Sequence, residues 1–292
     1  LDRLQVRGGD LRIQEPAWNL PRARFAYRIY GNGLGPNRLY VDIRVPRIRL
    51  GEGTDAVDGS LVAMANLSDL ALEVKESELR LGGNRVSAQG HYAFDARMVS
   101  ADVKGRVDLA ESLRLLDPKA TRTWEGTAGF KAGVRGRLAD PAWNLFIDGK
   151  NLGSRSSRIS PGDVRLEAHG RLDQATIQSL EWRSAQGRLQ ASGEWRRGVG
   201  SHLQFHGEEL GLTPLATFVR VGFLDSLSVD LDGEADLPGN PWVPPQLDAL
   251  GVKAEGRFLR AQENVGRLSV DLADGRLSVP DISLENPEAY EK

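Results

Sequence analysis

A nine-residue strand pattern that occurs twice constrains this chain more than any other feature. Asn84 to Tyr92 reads Asn-Arg-Val-Ser-Ala-Gln-Gly-His-Tyr, and Gly187 to Trp195 reads Gly-Arg-Leu-Gln-Ala-Ser-Gly-Glu-Trp. In both copies apolar or small residues occupy every second position, and the positions between them are polar. Because successive side chains of a strand point to opposite faces, this alternation predicts a β-strand with one apolar and one solvated face.

Residues outside the two copies are separated by the same distance in sequence as the copies themselves. Gly90 and Gly193 stand 103 residues apart, as do Leu109 and Leu212, each in front of a predicted short helix. Repetition at a fixed period indicates the stacking of a unit that cannot bury its own apolar face. We therefore divide the chain into a first β segment, two repeats and a frayed tail, at 1–83, 84–186, 187–286 (which includes the start of a further repeat) and 287–292.

Alternation of the same kind covers most of the chain and predicts about eighteen short strands, with a first hairpin over residues 4–13. Short helices are predicted over 56–68, 110–116 and 215–221. They are too few to cover a sheet of this size, so either two sheets pack face to face or one sheet curls over a trough. Glycine at inward positions favours curvature. The expected fold is mostly β: an elongated, curled antiparallel sheet that forms an open hydrophobic groove, with a few short helices.

The amino-acid composition excludes several classes of function. The chain has 38 basic and 40 acidic residues, and this balance gives no support to nucleic-acid binding, which needs a basic surplus. It has no cysteine, which excludes disulfides and thiolate chemistry and fits an oxidising compartment. No stretch approaches the ~18 apolar residues of a membrane span. Because the sequence opens at Leu1 without a signal-like segment, we expect it to be part of a longer protein.

No group of residues predicts catalysis. His202 and His206 would lie roughly 13 Å apart on one strand, too far to share a metal ion. Asp230, Asp232 and Asp236 lack the spacing of a calcium loop. The glycines from Gly31 to Gly35 precede a strand rather than a helix, so they indicate a hairpin turn and not a phosphate loop. We expect a protein that is not an enzyme and that has no metal or cofactor.

The residues of the apolar face are the candidate site. Tyr92 and Trp195 occupy equivalent positions at the end of that face, and either core packing or the lining of a lipid groove explains them. The predicted groove-lining residues are Val86, Ala88, Tyr92, Val103, Phe130, Val134, Leu166, Leu189, Ala191, Trp195, Phe205, Val229, Leu231, Val252 and Phe258.

Three motifs together resemble the bacterial AsmA-like superfamily, which includes the TamB-like proteins. They are Leu-x-x-Leu-x-Val-x-x-Gly-x-Leu-x-Ile from Leu1 to Ile13, the Gly-Arg-Leu-x-Ala-x-Gly strands, and the Gly-x-Leu-x-Asp-Pro turns. The resemblance implies a periplasmic segment of a protein anchored in the inner membrane, whose β-groove carries phospholipid acyl chains toward the outer membrane. For the TamB-like branch it also implies a role in outer-membrane protein assembly with an Omp85-type partner. The N-terminal anchor of the family is missing from this sequence.

Two other interpretations remain open. The chain could be a structural or assembly module without lipid conduction, such as a TamB-like assembly segment, a β-sandwich array or an adhesin stalk. A β-helical carbohydrate-active enzyme is disfavoured, because the repeat is near 100 residues rather than a short coil period and no carboxylate pair stands out.

Overall fold

The computed structural model describes eighteen strands and one helix, within residues 3–7, 11–13, 23–35, 38–50, 57–116, 124–154, 159–211, 227–237, 251–260, 263–273 and 276–284. The chain divides into an N-terminal unit, Leu1–Gly149, and a C-terminal unit, Lys150–Lys292. In both units every pairing with a described register is antiparallel, and each unit is an open sheet whose strands, from β3 onward, follow one another in chain order. The expected fold class, a mostly antiparallel open sheet, is confirmed.

The N-terminal unit is a meander in which each strand from β3 to β9 pairs with the next, and β10 pairs with β9. The unit boundary falls within β10. The strands are β1 Arg3–Arg7, β2 Leu11–Ile13, β3 Ala23–Gly35, β4 Arg38–Leu50, β5 Val57–Ser68, β6 Ala71–Leu81, β7 Asn84–Ala93, β8 Met98–Asp108, β9 Trp124–Arg137 and β10 Asp140–Ser154.

The C-terminal unit repeats this arrangement, with each strand from β11 to β18 paired to the next. Its strands are β11 Ile159–Gly170, β12 Gln174–Ser184, β13 Gly187–Arg196, β14 Gly200–Gly211, β15 Ser228–Leu237, β16 Gly251–Arg260, β17 Glu263–Ala273 and β18 Arg276–Leu284.

The repeat predicted from the sequence is present in the strands. The bounds of β6 and β7 recur 103 residues later as those of β12 and β13. The irregularities recur as well: the register of β6 against β7 shifts between Val74 and Ser77, and that of β12 against β13 shifts between the equivalent residues, Ile177 and Leu180. The two copies of the opening pattern are therefore the same strand in two equivalent hairpins.

The helix predicted over 56–68 is wrong, because Val57–Ser68 forms strand β5. Its apolar residues run consecutively from Leu61 to Ala65, so they occupy both faces of the strand and break the alternation that identifies strands elsewhere. Pairing with β4 on one side and β6 on the other determines the structure: Ala63 lies opposite Ile43 and Ser77. Cross-strand pairing here overrides the local pattern.

The hairpin predicted over residues 4–13 is also wrong. β1 and β2 both pair with β3, and they occupy successive parts of its length: Val6 lies opposite Ile29 and Leu11 opposite Phe25. Alternation identified the two strands correctly, but it carries no information about the partner of a strand.

The helix predicted over 110–116 is confirmed as α1, Leu109–Leu116. Asp108 caps it by accepting a hydrogen bond from the Glu111 amide at 2.9 Å. Glu111 in turn accepts hydrogen bonds from the Gly83 amide at 2.6 Å and from the buried Asn84 side chain at 3.2 Å, which attach the helix to the turn before β7. In the described ranges no helix has the length and apolar character that a membrane span needs.

Two predictions concern residues that the structure does not describe. These are the helix over 215–221 and the tail 287–292.

Candidate functional site

One face of the N-terminal sheet carries rows of apolar and small side chains, interrupted by one polar residue, Ser77. Residues directly opposite each other in an antiparallel pair project from the same face, so the registers define these rows. All six groove-lining residues predicted in this unit belong to them. The rows from β5 to β9 are Leu61–Leu79–Val86–Gly105–Phe130, Ala63–Ser77–Ala88–Val103–Ala132, Ala65–Val74–Gly90–Ala101–Val134 and Leu67–Leu72–Tyr92–Val99–Gly136.

The C-terminal sheet carries equivalent rows. They contain no charged residue over six or seven strands, and they include Leu166, Leu189, Ala191, Phe205, Leu231 and Val252 from the predicted set. The rows are Leu166–Leu180–Ala191–Phe205–Gly233–Ala254–Val270, Trp182–Leu189–Gly207–Leu231–Gly256–Leu268 and Ile177–Gly193–Leu203–Ala235–Val252–Leu272.

The remaining three predicted residues of this unit lie toward the ends of the strands. Trp195 is opposite Ala175 and Ser201, and Val229 is opposite Phe258. Val229 and Phe258 are 4% and 5% exposed and form a core cluster with Leu227. These two side chains are therefore enclosed in the structure, whereas the other thirteen predicted residues are partly exposed.

Glycines in the rows are covered by large neighbours. A methyl group added at Gly105 would come within 2.6 Å of Cε1 of Phe130, its cross-strand partner. Gly233 has the same relation to the ring of Phe205. A glycine on the apolar face has no side chain and leaves room above the strand. In the structure that room is filled by aromatic rings from the neighbouring strand, an arrangement that stabilises glycine-containing strand pairs.

The opposite face of each sheet is mostly polar and carries a repeated ion-pair cluster. Glu181 accepts hydrogen bonds from Arg183 at 2.8 Å and from Arg188 at 2.6 Å. In the equivalent hairpin, Glu78 is bonded in the same way by Arg80 and Arg85. The hydrogen bond from Arg183, followed by the one from Arg188, makes the largest contribution to lowering the pKa of Glu181 to about 2. In the same way, hydrogen bonds from Arg85 and Arg80 lower the pKa of Glu78.

Two shallow cavities lie beside these clusters, each within one unit. The cavity of the C-terminal unit has a volume of about 960 Å³, and its lining includes Glu181, Gln204 and Glu234. The cavity of the N-terminal unit has a volume of about 620 Å³, and its lining includes Glu78 and Lys104. Both are lined mainly by polar positions, so they belong to the face that the sequence predicted to be solvated.

His202 and His206 each pair with an aspartate on the neighbouring strand. Nδ1 of His202 lies 2.8 Å from Asp236, and Nδ1 of His206 lies 2.6 Å from Asp232. These hydrogen bonds raise the pKa of both imidazoles. The part of the chain that the structure describes contains no group of three or more acidic or histidine side chains placed to hold a metal ion.

The other sequence candidates have structural partners. Asp230 accepts a hydrogen bond from the Glu209 amide at 2.9 Å. The hairpin predicted at Gly31 to Gly35 is confirmed between β3 and β4, where Gly35 pairs with Arg38, but these glycines belong to strand β3 itself and are not the turn. One feature was missed from the sequence, a difference in charge between the two polar faces. Superimposing the two repeats at their 103-residue spacing does not align the charge pairs behind it, because Lys104 falls on Gly207, whereas the strand registers place it with His206.

In comparisons with known proteins, no family model, curated protein or solved structure matches this chain.

Proposed function

We propose that the apolar faces of the two sheets bind phospholipid acyl chains, and that the chain is a periplasmic segment of an AsmA-like protein that carries phospholipid between the inner and outer membranes. The observation that carries the proposal is the continuity of the apolar rows. In the C-terminal unit they run from β11 to β17 without a charged side chain. A row of this kind offers an acyl chain an unbroken apolar path.

The exposure of the rows supports this proposal. Thirteen of the fifteen predicted residues are partly exposed, although most are apolar. Within each unit the described strands form a single sheet, so no second described sheet of the same unit covers the apolar face. Burial of apolar surface contributes about 25 cal/mol per Å², and an acyl chain lying along a row would gain this energy while its head group stays at the edge of the sheet.

The resemblance supports the location and partners in the proposal. An inner-membrane anchor outside this sequence and an Omp85-type outer-membrane protein are the partners that it implies. The protein would have no catalytic activity and no cofactor, since binding and release of acyl chains need neither.

One observation favours the second candidate function, a structural or assembly module without lipid conduction. Leu227, Val229 and Phe258 form an enclosed core, and aromatic rings already cover Gly105 and Gly233. If such packing extends over the whole apolar face, the rows are a dry core rather than a lipid surface.

Native mass spectrometry of the purified protein distinguishes the two functions. If the protein binds lipid, the wild type should carry phospholipid adducts. The variant Ala191→Asp should lose them, because it places a charge in the middle of an apolar row. Ser192→Asp is the matched control: it adds the same charge one residue away, on the polar face, and the adducts should persist. Circular dichroism establishes that both variants fold. Absence of adducts from the folded wild-type protein favours the structural module.

A further inference from the structure

The polar face of the N-terminal unit places like charges directly opposite each other. Arg85 lies opposite both Arg80 and Arg106. One row away, Lys104 lies opposite Lys131. Directly opposed like charges destabilise a strand pair. Within the described part of the chain, neither the Lys104 nor the Lys131 ammonium has an ion-pair partner.

The C-terminal unit keeps the first of these like-charge pairs, as Arg183 opposite Arg188, but it has opposite charges at the equivalents of the other two. Arg188 lies opposite Glu208, where the N-terminal unit has Arg85 opposite Arg106. His206 lies opposite Asp232, where the N-terminal unit has Lys104 opposite Lys131. The same backbone therefore accommodates complementary pairs. The repulsion between cations in the N-terminal unit is not a requirement of the fold.

Basic side chains, among them the unpaired Lys104 and Lys131, line a concave site. Lys75, Arg85, Lys104 and Lys131 all border the cavity of about 620 Å³, a volume in the range of small-ligand pockets. Three carboxylates also border it. Of these, Glu78 is engaged by Arg80 and Arg85, and Asp102 lies 3.6 Å from Arg135, so Glu76 is the carboxylate without a basic partner among the described residues. The surplus charge of the cavity is positive.

We propose that this cavity, bordered by the opposed Lys104 and Lys131, binds a phosphate group. A dianion between two neighbouring ammonium groups removes their repulsion, and charge-assisted hydrogen bonds to phosphate are stronger than neutral ones. The phosphate belongs to a soluble phosphate ester or to a lipid head group. It is not the head group of a lipid held on the apolar rows, because the cavity lies on the other face of the sheet. The site is independent of the proposed lipid-binding function.

The test measures binding of two probes, pyrophosphate by titration calorimetry and phosphatidic acid in neutral carrier vesicles by co-sedimentation. The variant Lys104→His/Lys131→Asp installs the residues of the C-terminal unit, which the same backbone accommodates. It should weaken binding at least about tenfold, equivalent to ~1.4 kcal/mol. Lys131→Arg keeps the charge and should retain binding. Lys253→Ala, beside the cavity of the C-terminal unit, should leave binding unchanged.

The two probes separate the sources of the phosphate. Binding of pyrophosphate supports a soluble phosphate ester, and binding of phosphatidic acid vesicles alone supports a lipid head group. Binding should also fall as salt is raised, since the attraction is electrostatic. The proposal is overturned if the folded wild-type protein binds neither probe at millimolar concentration, or if the double variant binds as tightly as the wild type.

Discussion

At the scale of single residues, glycines determine how the apolar face is filled. Gly105 and Gly233 have no side chain, and an aromatic ring from the adjacent strand occupies the space above each of them. The sequence identified both positions as inward-facing, but it could not show what covers them. That depends on which residue of the next strand lies directly opposite, and so on the register.

Replacement of Gly105 by alanine should therefore destabilise the protein. The added methyl group would meet the Phe130 ring at 2.6 Å and the Arg85 carbonyl oxygen at 2.8 Å. Overpacking of this kind typically costs about 1–3 kcal/mol. Gly129→Ala is the matched control, because its methyl group would meet nothing closer than 3.7 Å. Urea unfolding measures both changes, and equal midpoints for the two variants would contradict the described packing.

The Glu181 carboxyl gives a second prediction at this scale. Its pKa in the folded protein is about 2, below the ordinary value of 4.5. A carboxyl with a lowered pKa stabilises the fold above its unfolded pKa, and this contribution is lost as the pH falls from 4.5 through about 2. Carbon-detected NMR titration should show the low pKa in the wild type and a higher one in Arg183→Gln. A wild-type pKa near 4.5 would show that the arginines do not hold this carboxylate in solution.

At the scale of elements, alternation predicts strands but not their partners. Strand β7 was predicted correctly because Val86, Ala88 and Gly90 alternate with polar residues. Strand β5 was mistaken for a helix because Leu61 to Ala65 are apolar on both faces. β1 and β2 were correctly predicted to be strands. They were predicted to pair with each other, whereas in the structure each pairs with β3. These errors arise because long-range backbone pairing has no local signature.

The pair of strands β14 and β15 should respond to pH. The His202–Asp236 and His206–Asp232 pairs join these strands, and their hydrogen bonds raise the pKa of both histidines. A raised pKa means that the stabilisation is complete below the unfolded value of 6.5 and is lost as the pH rises through the folded value. The pairs are solvent-exposed, so the effect should be small.

Urea unfolding at a series of pH values tests this expectation. Asp232→Asn should reduce the loss of stability with rising pH, because it removes the carboxylate that favours the imidazolium form. Ser228→Asn, on the same strand but away from both histidines in the register, should leave the pH dependence unchanged. A variant profile identical to that of the wild type would show that the His206 pair has no role in joining the strands.

At the scale of the whole molecule, the sequence predicted the repeat, the open antiparallel sheet and the two faces of its strands. It could not predict which residues form a row. The register shifts within strand pairs, as between Val74 and Ser77 and between Gly207 and Leu210, and each shift changes all the pairings beyond it. The rows that form the candidate site depend on those shifts, and the opposed lysines of the polar face depend on the register of β8 against β9.

Photo-crosslinking along strand β13 tests the proposed lipid-binding face most directly. A photoreactive amino acid is placed in turn at each position from Arg188 to Trp195, and the protein is irradiated with phospholipid vesicles. Lipid binding on the apolar face predicts adducts at Leu189, Ala191 and Trp195 and none at Arg188, Gln190 or Ser192, following the alternation of the strand. Adducts at neither set, or at both sets equally, in folded protein would contradict lipid binding on the apolar rows.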